Sequence, residues 1–391
     1  MKPNRRLRLY TYFGALFVTF SVSLPAYINS SFLSQLFGEK WVSAIYAVCS
    51  IITIILMIFM PKAIRRFGNR FLIILLSIIS FFALLPLVYS SSVFLILAGF
   101  TVYYALGFQI RYNLDVYLEN ISDDKNTGTI RGIFYTFYNL AWFASPFLAG
   151  ILSKGENYSN VYLAASFSLL PFIALVAILF SESKSVRYDK HGVWDDLRIL
   201  FRSRRLEDKD IRRILAVDFV LNLFYAVMVV YMPIYLHEYI GLSWPEIGLV
   251  FSIMLLPFVL FELPLGRLAD RKFGEKEFLL AGIAVCGLST LVIPFLETDY
   301  WVWWAIILFM TRVGAATMEI TKECYLFKKI DGENTGIISL ARINVPFSYL
   351  VGPIFATLIL LAFDMHMIFL VLGGVMVTAG WHFGSRIRDT K

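Results

Sequence analysis

Apolar residues occur in twelve long runs that follow one another along almost the whole chain. Each run is close to the ~20 residues that a helix needs to cross ~30 Å of hydrocarbon. The first run has the length of a full span and no cleavage pattern of small residues behind it, so we interpret it as a membrane helix and not as a signal peptide. The pattern predicts transmembrane helices at residues 9–30, 41–60, 71–90, 92–114, 131–152, 160–181, 214–236, 246–265, 278–296, 300–318, 336–362 and 365–384.

Composition supports an all-α membrane protein. Of the 391 residues, 59% are hydrophobic and 16% are charged, whereas soluble proteins average roughly 45–50% and 25%. The connections between the runs are too short for a separate catalytic domain of about 100 residues. These values exclude a soluble globular protein and place any chemistry within or beside the membrane.

The basic residues predict the orientation of the chain. Of the 35 Lys and Arg residues, 29 lie in segments on the same side as the N-terminus, and only Lys40 and Lys154 lie in segments on the other side. Because cytoplasmic loops carry an excess of Lys and Arg, both termini are expected in the cytoplasm, with the protein integral to a prokaryotic cytoplasmic membrane. The formal charge of +7 then reflects topology and contact with anionic membrane lipid, and not nucleic-acid binding.

Enzyme chemistry has no visible basis in the sequence. Cys49, Cys286 and Cys324 stand in apolar runs without metal-binding spacing, and the four histidines are scattered in loops or at helix ends. We therefore expect no metal, no cofactor and no catalytic activity.

A charged segment divides the chain into halves of six predicted helices each. The boundaries are residues 1–181, a linker at 182–213 and residues 214–391. Within the linker, apolar residues recur at helical spacing from Val193 to Phe201, which favours an amphipathic helix on the membrane surface over a plain solvated linker.

The two halves are repeats of each other at an offset of 206 to 208 positions. Asn126-Thr127-Gly128 falls on Asn334-Thr335-Gly336, and Asp115 falls on Glu323. Parallel repeats of this kind predict two pseudo-symmetric six-helix bundles with a substrate cavity between them near the membrane midplane.

One segment carries a family resemblance. GRLADRKFG, with Gly266, Asp270, Arg271 and Gly274, resembles the cytoplasmic loop signature of the major facilitator superfamily. The first-half copy departs from it, because Ile64 stands where an acidic residue is expected and three residues are missing. The resemblance implies twelve helices in two bundles and alternating access, but it does not identify a substrate. The charges of the loop are expected to latch neighbouring helices on the inner side, because Asp270 can accept hydrogen bonds from helix N-terminal amides and Arg271 can reach helix C-termini.

Charged residues within the predicted helices are the first candidates for function, because a charge in hydrocarbon needs a partner, water or a role. Arg312 lies about 18 Å into its helix, near the midplane, with Glu319 on about the same face. It either forms a salt bridge with a buried acid or holds an anionic or carbonyl group of a substrate.

Asp218 is a candidate proton carrier. Asn222 and Tyr225 share its helix face, and Asp218 could equally form a static pair with an arginine at the inner gate. Glu262 and Glu319 are the other proton-coupling candidates.

A second group of charges predicts a cytoplasmic gate that closes when the helix ends converge. Its members are Arg111, Asp115, Glu319, Glu323, Arg131 and Arg342.

Two prolines predict hinges. Ser145-Pro146 and the repeat Gly352-Pro353 resemble the small-residue-plus-proline motif of antiporters in the superfamily, although an ordinary kink of a membrane helix is the alternative. The resemblance favours export over uptake.

Polar and aromatic residues at mid-depth are the candidates for the cavity wall. Besides Arg312 these are Tyr27, Tyr104, Tyr138, Asn139, Trp142, Asn222, Tyr225, Asn344 and Tyr349.

The sequence therefore predicts a monomeric secondary transporter that exports a small amphiphilic molecule in exchange for protons. A proton-coupled symporter for a polar nutrient and a non-transporting membrane sensor are the alternatives.

Overall fold

The computed structural model describes residues 5–121, 127–153, 157–182, 206–271, 275–329 and 335–388. Within these ranges all regular secondary structure is helical. Eleven of the described helices are long and apolar enough to cross a membrane, by length and composition. The prediction of an all-α membrane protein is therefore confirmed.

The first half contains seven described helices. They are α1 (Arg5–Ala26), α2 (Asn29–Phe37), α3 (Glu39–Phe67), α4 (Asn69–Tyr89), α5 (Val93–Asn120), α6 (Thr127–Leu152) and α7 (Ser159–Leu179). Gly68 separates α3 from α4 with φ of 91°, a backbone angle that glycine adopts without a Cβ penalty. The long α6 is outside the eleven candidate spans, since Tyr138, Asn139 and Pro146 lower its hydropathy.

The second half also contains seven described helices, three of which continue in a different helical form. They are α8 (Leu206–Ile234, continued by a π-helix at Tyr235–Tyr239), α9 (Trp244–Arg271), α10 (Glu275–Val292, continued by a 3₁₀ turn at Ile293–Phe295), α11 (Trp301–Lys329), α12 (Thr335–Leu360), α13 (His366–Val375, continued by a π-helix at Met376–Gly380) and α14 (Trp381–Ser385).

The first predicted span is wrong at its end. Helix α1 stops at Ala26, and the chain turns at Tyr27 and Ile28 before the short helix α2. Pro25 has no N–H to donate to the carbonyl of Ser21, and that carbonyl instead accepts a hydrogen bond from the Tyr103 hydroxyl at 3.3 Å. The end of α1 at Ala26 is therefore explained by Pro25, which a prediction from hydropathy alone does not take into account.

The chain divides into two compact units, Met1–Arg187 and Tyr188–Lys391. The division falls within the predicted linker, and the proposed amphipathic helix at 193–201 lies outside the described residues. Helix α8 begins at Leu206, earlier than the predicted residue 214.

In the N-terminal unit, α1 packs against α6 and α7, and α4 packs against α5 and α7. Buried polar contacts tie these helices together. Ser23 of α1 and Ser145 of α6 share a hydrogen bond of 2.6 Å, and Tyr162 donates to Asn29 at 2.9 Å. Such contacts satisfy polar groups that have no water in hydrocarbon.

In the C-terminal unit, α11 packs against α8, α9 and α10, while α12 packs against α8. The backbones of α10 and α11 approach closely at two glycines. A Cβ atom at Gly314 would clash with the backbone of Cys286 and lie 2.6 Å from the Gly282 carbonyl oxygen. Small residues at such crossings allow close helix packing in membranes, and here they fix the position of α11, which carries the buried Arg312.

Candidate functional site

Polar side chains from three helices of the C-terminal unit meet in an otherwise apolar interior. We call this group the polar cluster. It consists of Asp218, Asn222 and Tyr225 on α8, Arg312, Glu319 and Lys322 on α11, and Asn344 on α12.

Asp218 links the three helices. Its carboxylate forms an ion pair with Lys322 of α11 and accepts hydrogen bonds from Asn222 at 3.0 Å and from Asn344 of α12 at 2.8 Å. The side chains of Lys322 and Asp218 are only 13% and 9% exposed. Because buried ionised groups need such partners, Asp218 is a charged junction whose loss of charge would affect all three helices.

Glu319 forms a second contact between α8 and α11. It accepts a hydrogen bond of 2.8 Å from the Tyr225 hydroxyl. Glu319 and Glu323 also lie close enough to Lys322 to interact with it electrostatically. Two of the three candidate proton carriers, Asp218 and Glu319, are thus brought together around one lysine.

Arg312 is buried, with 1% of its surface exposed. Its guanidinium lies over the rings of Phe224 at 4.8 Å and Tyr225 at 5.5 Å. Among the described residues, no carboxylate lies within ion-pair distance of it, and its Nε and Nη1 atoms have no hydrogen-bond acceptor. A buried donor without an acceptor costs about 1–3 kcal/mol, so these two nitrogens of Arg312 are unsatisfied hydrogen-bond donors within the polar cluster.

The local sequence explains why the guanidinium stays in place. The neighbouring Thr311 bonds back to the Leu308 carbonyl at 2.6 Å, and Gly314 brings α11 against α10 two residues later. The aromatic faces of α8 then cover the guanidinium. A cation over such rings is stabilised by about 0.5–2 kcal/mol of free energy, and by more when it is shielded from water.

In the N-terminal unit, three predicted cavity residues form an aromatic series. Trp142 of α6 contacts Tyr27 with ring centroids 6.1 Å apart and Tyr138 with centroids 6.3 Å apart. Arg111 of α5 lies over the Tyr138 ring at 4.2 Å and donates to its hydroxyl. The Trp142 indole N–H is buried without an acceptor. Arg111, proposed for a gate, therefore contacts a predicted cavity residue.

The remaining predicted residues lie elsewhere in the two units. Tyr104 packs with Tyr46, Phe100 and Phe108, apart from the aromatic series. The remaining half-buried members are Asn139, Tyr349, Asp115, Glu323 and Arg342. The side chains of Glu262, Asp270, Arg271 and Arg131, the surroundings of Gly266, and the whole of Gly274 lie outside the described part of the chain.

The signature segment is not a loop over most of its length. Helix α9 continues to Arg271, so Gly266 to Arg271 are helical. The predicted span ended at residue 265 because charged residues follow, but charge alone does not end a helix beyond the hydrocarbon.

Both predicted hinge prolines lie inside helices, Pro146 in α6 and Pro353 in α12. The Pro353 carbonyl accepts hydrogen bonds from Tyr231 of α8 at 3.3 Å and from Thr357 at 2.9 Å. A proline removes one backbone hydrogen bond, and the hydroxyls of Tyr231 and Thr357 stabilise the backbone of α12 at Pro353.

Sequence reasoning did not select Lys322 or Phe224 as site residues. Lys322 lies three residues after Glu319 within a helix, and a lysine so placed requires a partner. The position of Lys322 within a membrane helix could therefore have identified it from the sequence. The contact of Phe224 with Arg312 could not be identified in this way, because it depends on helix packing.

Comparisons with known proteins give the family. A model of the Major Facilitator Superfamily matches residues 113–254 and 238–389, and no curated protein matches the chain. The fold is similar to three crystal structures. One is a POT family transporter in complex with a thioalcohol-conjugated peptide (14% identity, 99% of this chain and 97% of that chain covered, TM-score 0.77).

The second is a POT family transporter in complex with 5-aminolevulinic acid (14% identity, 99% and 97% covered, TM-score 0.78). The third is the nucleoside transporter NupG in a mutant form (11% identity, 98% and 100% covered, TM-score 0.77). At these identities the likeness concerns the fold. Together with the family match over more than half of its length, it establishes that the chain belongs to the Major Facilitator Superfamily of membrane transporters.

Proposed function

We propose that the protein is a secondary active transporter that works by alternating access, and that its cargo is a small amphiphilic molecule whose anionic group binds Arg312. The observation that carries the proposal is the buried guanidinium with two unpartnered nitrogens and no carboxylate in reach among the described residues. The family membership supports transport in general, and Arg312 supports this class of cargo.

The surroundings of Arg312 favour an amphiphile over a sugar. An arginine donates through a planar fork that fits a carboxylate with two parallel hydrogen bonds. The Phe224 and Tyr225 rings beside it, with Phe258 of α9 at 6.2 Å from Tyr225, offer apolar contact to the rest of the molecule. An anionic head and an aromatic or aliphatic body satisfy both parts of the site.

Asp218 is the proton carrier that we propose. Protonation would remove the charge that holds Lys322 and weaken the hydrogen bonds from Asn222 and Asn344, so α8, α11 and α12 would separate more easily. A ligand shifts a conformational equilibrium only through different contacts in the two states, and this junction supplies such a difference for a proton.

Export in exchange for protons is the direction that we propose. The Ser145-Pro146 and Gly352-Pro353 segments support it by their resemblance to antiporter hinges. Physical chemistry agrees, because an anion leaving a cell with a negative interior and a proton entering it both move down the electrical gradient, about 2.3 kcal/mol per charge at 100 mV.

A ligand screen on the purified protein tests the cargo class. Amphiphilic carboxylates are compared with their neutral methyl esters for the rise in melting temperature that they cause. Binding of the carboxylates is expected to weaken about 10- to 100-fold in Arg312→Met, because a charge-assisted hydrogen bond contributes about 1.5–3 kcal/mol. Arg312→Lys should retain part of the binding, since the charge stays and the planar fork is lost.

Arg66→Met is the matched control, because Arg66 also lies over an aromatic ring, Phe67 at 5.3 Å, but is exposed. It should bind like the wild type. The proposal fails if no carboxylate stabilises the protein, if the esters stabilise it equally, or if Arg312→Met binds as tightly as Arg66→Met.

A further inference from the structure

The C-terminal unit contains a cavity of about 620 Å³ at the end remote from the polar cluster. Its wall includes Tyr235 and Tyr239 from the π-helix that extends α8, and Tyr235 stands ten residues beyond Tyr225, about 15 Å along the helix. Because of this distance, the cavity is separate from the site of the proposed function. Its volume lies within the ~300–1,000 Å³ of small-molecule sites.

Two aromatic residues, Tyr235 and Tyr239, belong to the wall of this cavity. The Tyr235 ring packs against Tyr239 at 6.0 Å, Trp304 at 5.8 Å and Phe369 at 5.2 Å. Tyr235 is only 6% exposed, yet it lines the cavity, and its hydroxyl forms no hydrogen bond with any described residue. A π-helix shifts the register of side chains and is often found at functional sites.

Carboxylates form another part of the wall. Glu297 and Asp299 line the cavity, and neither has an ion-pair partner among the described residues. Glu297 lies close enough to the Tyr235 hydroxyl to interact electrostatically with it. His366, at the first position of α13, also lines the cavity.

We propose that this cavity binds an organic ammonium group. Aromatic faces and carboxylates together attract a cation with an apolar surface, and the Tyr235 hydroxyl supplies a polar contact. A bound metal ion fits less well, because no group of three metal-ligating side chains occurs among the described residues and the volume far exceeds that of one ion.

Choline and its uncharged isostere 3,3-dimethylbutan-1-ol are the probes for the test. Their binding is measured by saturation-transfer NMR at pH 8 on the full chain in nanodiscs of phosphatidylglycerol, a lipid without an ammonium group. Choline is expected to bind and the isostere to bind at least about tenfold more weakly, because it lacks the charge that the carboxylates and rings attract.

Three variants assign the binding to this cavity. Glu297→Gln/Asp299→Asn should weaken choline binding about tenfold or more, and Tyr235→Phe, which keeps the ring, should weaken it two- to threefold. Asp364→Asn is the control, because Asp364 is an exposed carboxylate that is not part of the cavity wall.

Nanodiscs of phosphatidylcholine distinguish a soluble amine from a lipid headgroup as the ligand. If choline binds more weakly there, lipid headgroups compete for the cavity; if its affinity is unchanged, the ligand is a soluble amine. The proposal is overturned if choline does not bind, if the isostere binds equally well, or if the double variant behaves like Asp364→Asn.

Discussion

At the scale of single residues, the C-terminal unit contains two charges with opposite surroundings. Asp218 is fully engaged, with a lysine and two amides as partners, while Arg312 rests on aromatic rings with two nitrogens unpaired. An engaged charge has its hydrogen bonds already made, whereas an unengaged charge can still offer them to a ligand. This difference is the reason for the proposed roles, Asp218 for protons and Arg312 for cargo.

The ion pair between Asp218 and Lys322 makes a prediction about stability. Asp218→Asn and Lys322→Met should each lower the free energy of unfolding by about 3 kcal/mol, because each leaves a buried charge without its partner. The double variant Asp218→Asn/Lys322→Met should lose at least about 1 kcal/mol less than the sum, since no charge remains buried alone. Thermal unfolding of the four purified proteins measures the cycle, and additive losses would show that the pair is not coupled.

At the scale of helices, glycines determine where α11 lies. A Cβ at Gly314 would overlap the backbone of α10 at Cys286 and approach the Gly282 carbonyl. A side chain there forces α10 and α11 apart and moves Arg312 relative to the rings of α8. The close crossing is thus a condition for the geometry of the site.

Gly314→Ala is therefore expected to destabilise the protein by about 1–3 kcal/mol through overpacking. Gly374→Ala is the matched control, because Gly374 also lies in a helix but has no atom within 4 Å of a built Cβ. That change should be neutral or stabilise by up to about 1 kcal/mol through helix propensity. The melting temperatures of the two variants are compared with that of the wild type. Equal effects of the two substitutions would contradict this explanation of the crossing.

Much of the helix pattern could be predicted because it depends on local hydropathy. The span predicted at 71–90 is observed as Asn69–Tyr89, and that at 365–384 as the helical segment from His366 to Ser385. The turn after Ala26 and the helical signature segment were missed, because their causes are a proline and helix continuation outside the apolar run. Asp218 and Arg312 were selected as charges in hydrocarbon, but Lys322 stands 104 residues from Asp218, and that pairing depends on tertiary packing.

At the scale of the whole molecule, family membership and the buried charges lead to one account. In the proposed mechanism the unpaired arginine binds the cargo, and the acid that joins three helices carries the proton. For coupled transport, both residues must act in the same transport cycle. A protein that only bound ligands would need Arg312 but would move no protons.

Proton movement in proteoliposomes tests this most directly. Vesicles are loaded with a carboxylate that stabilises the purified protein, diluted into medium without it, and followed with a pH-sensitive dye in the lumen. We predict that the lumen acidifies as cargo leaves and protons enter, and that Arg312→Met and Asp218→Asn abolish this change. A lumen that becomes alkaline would indicate symport and contradict the proposed direction, and the absence of any cargo-dependent proton movement would contradict the account as a whole.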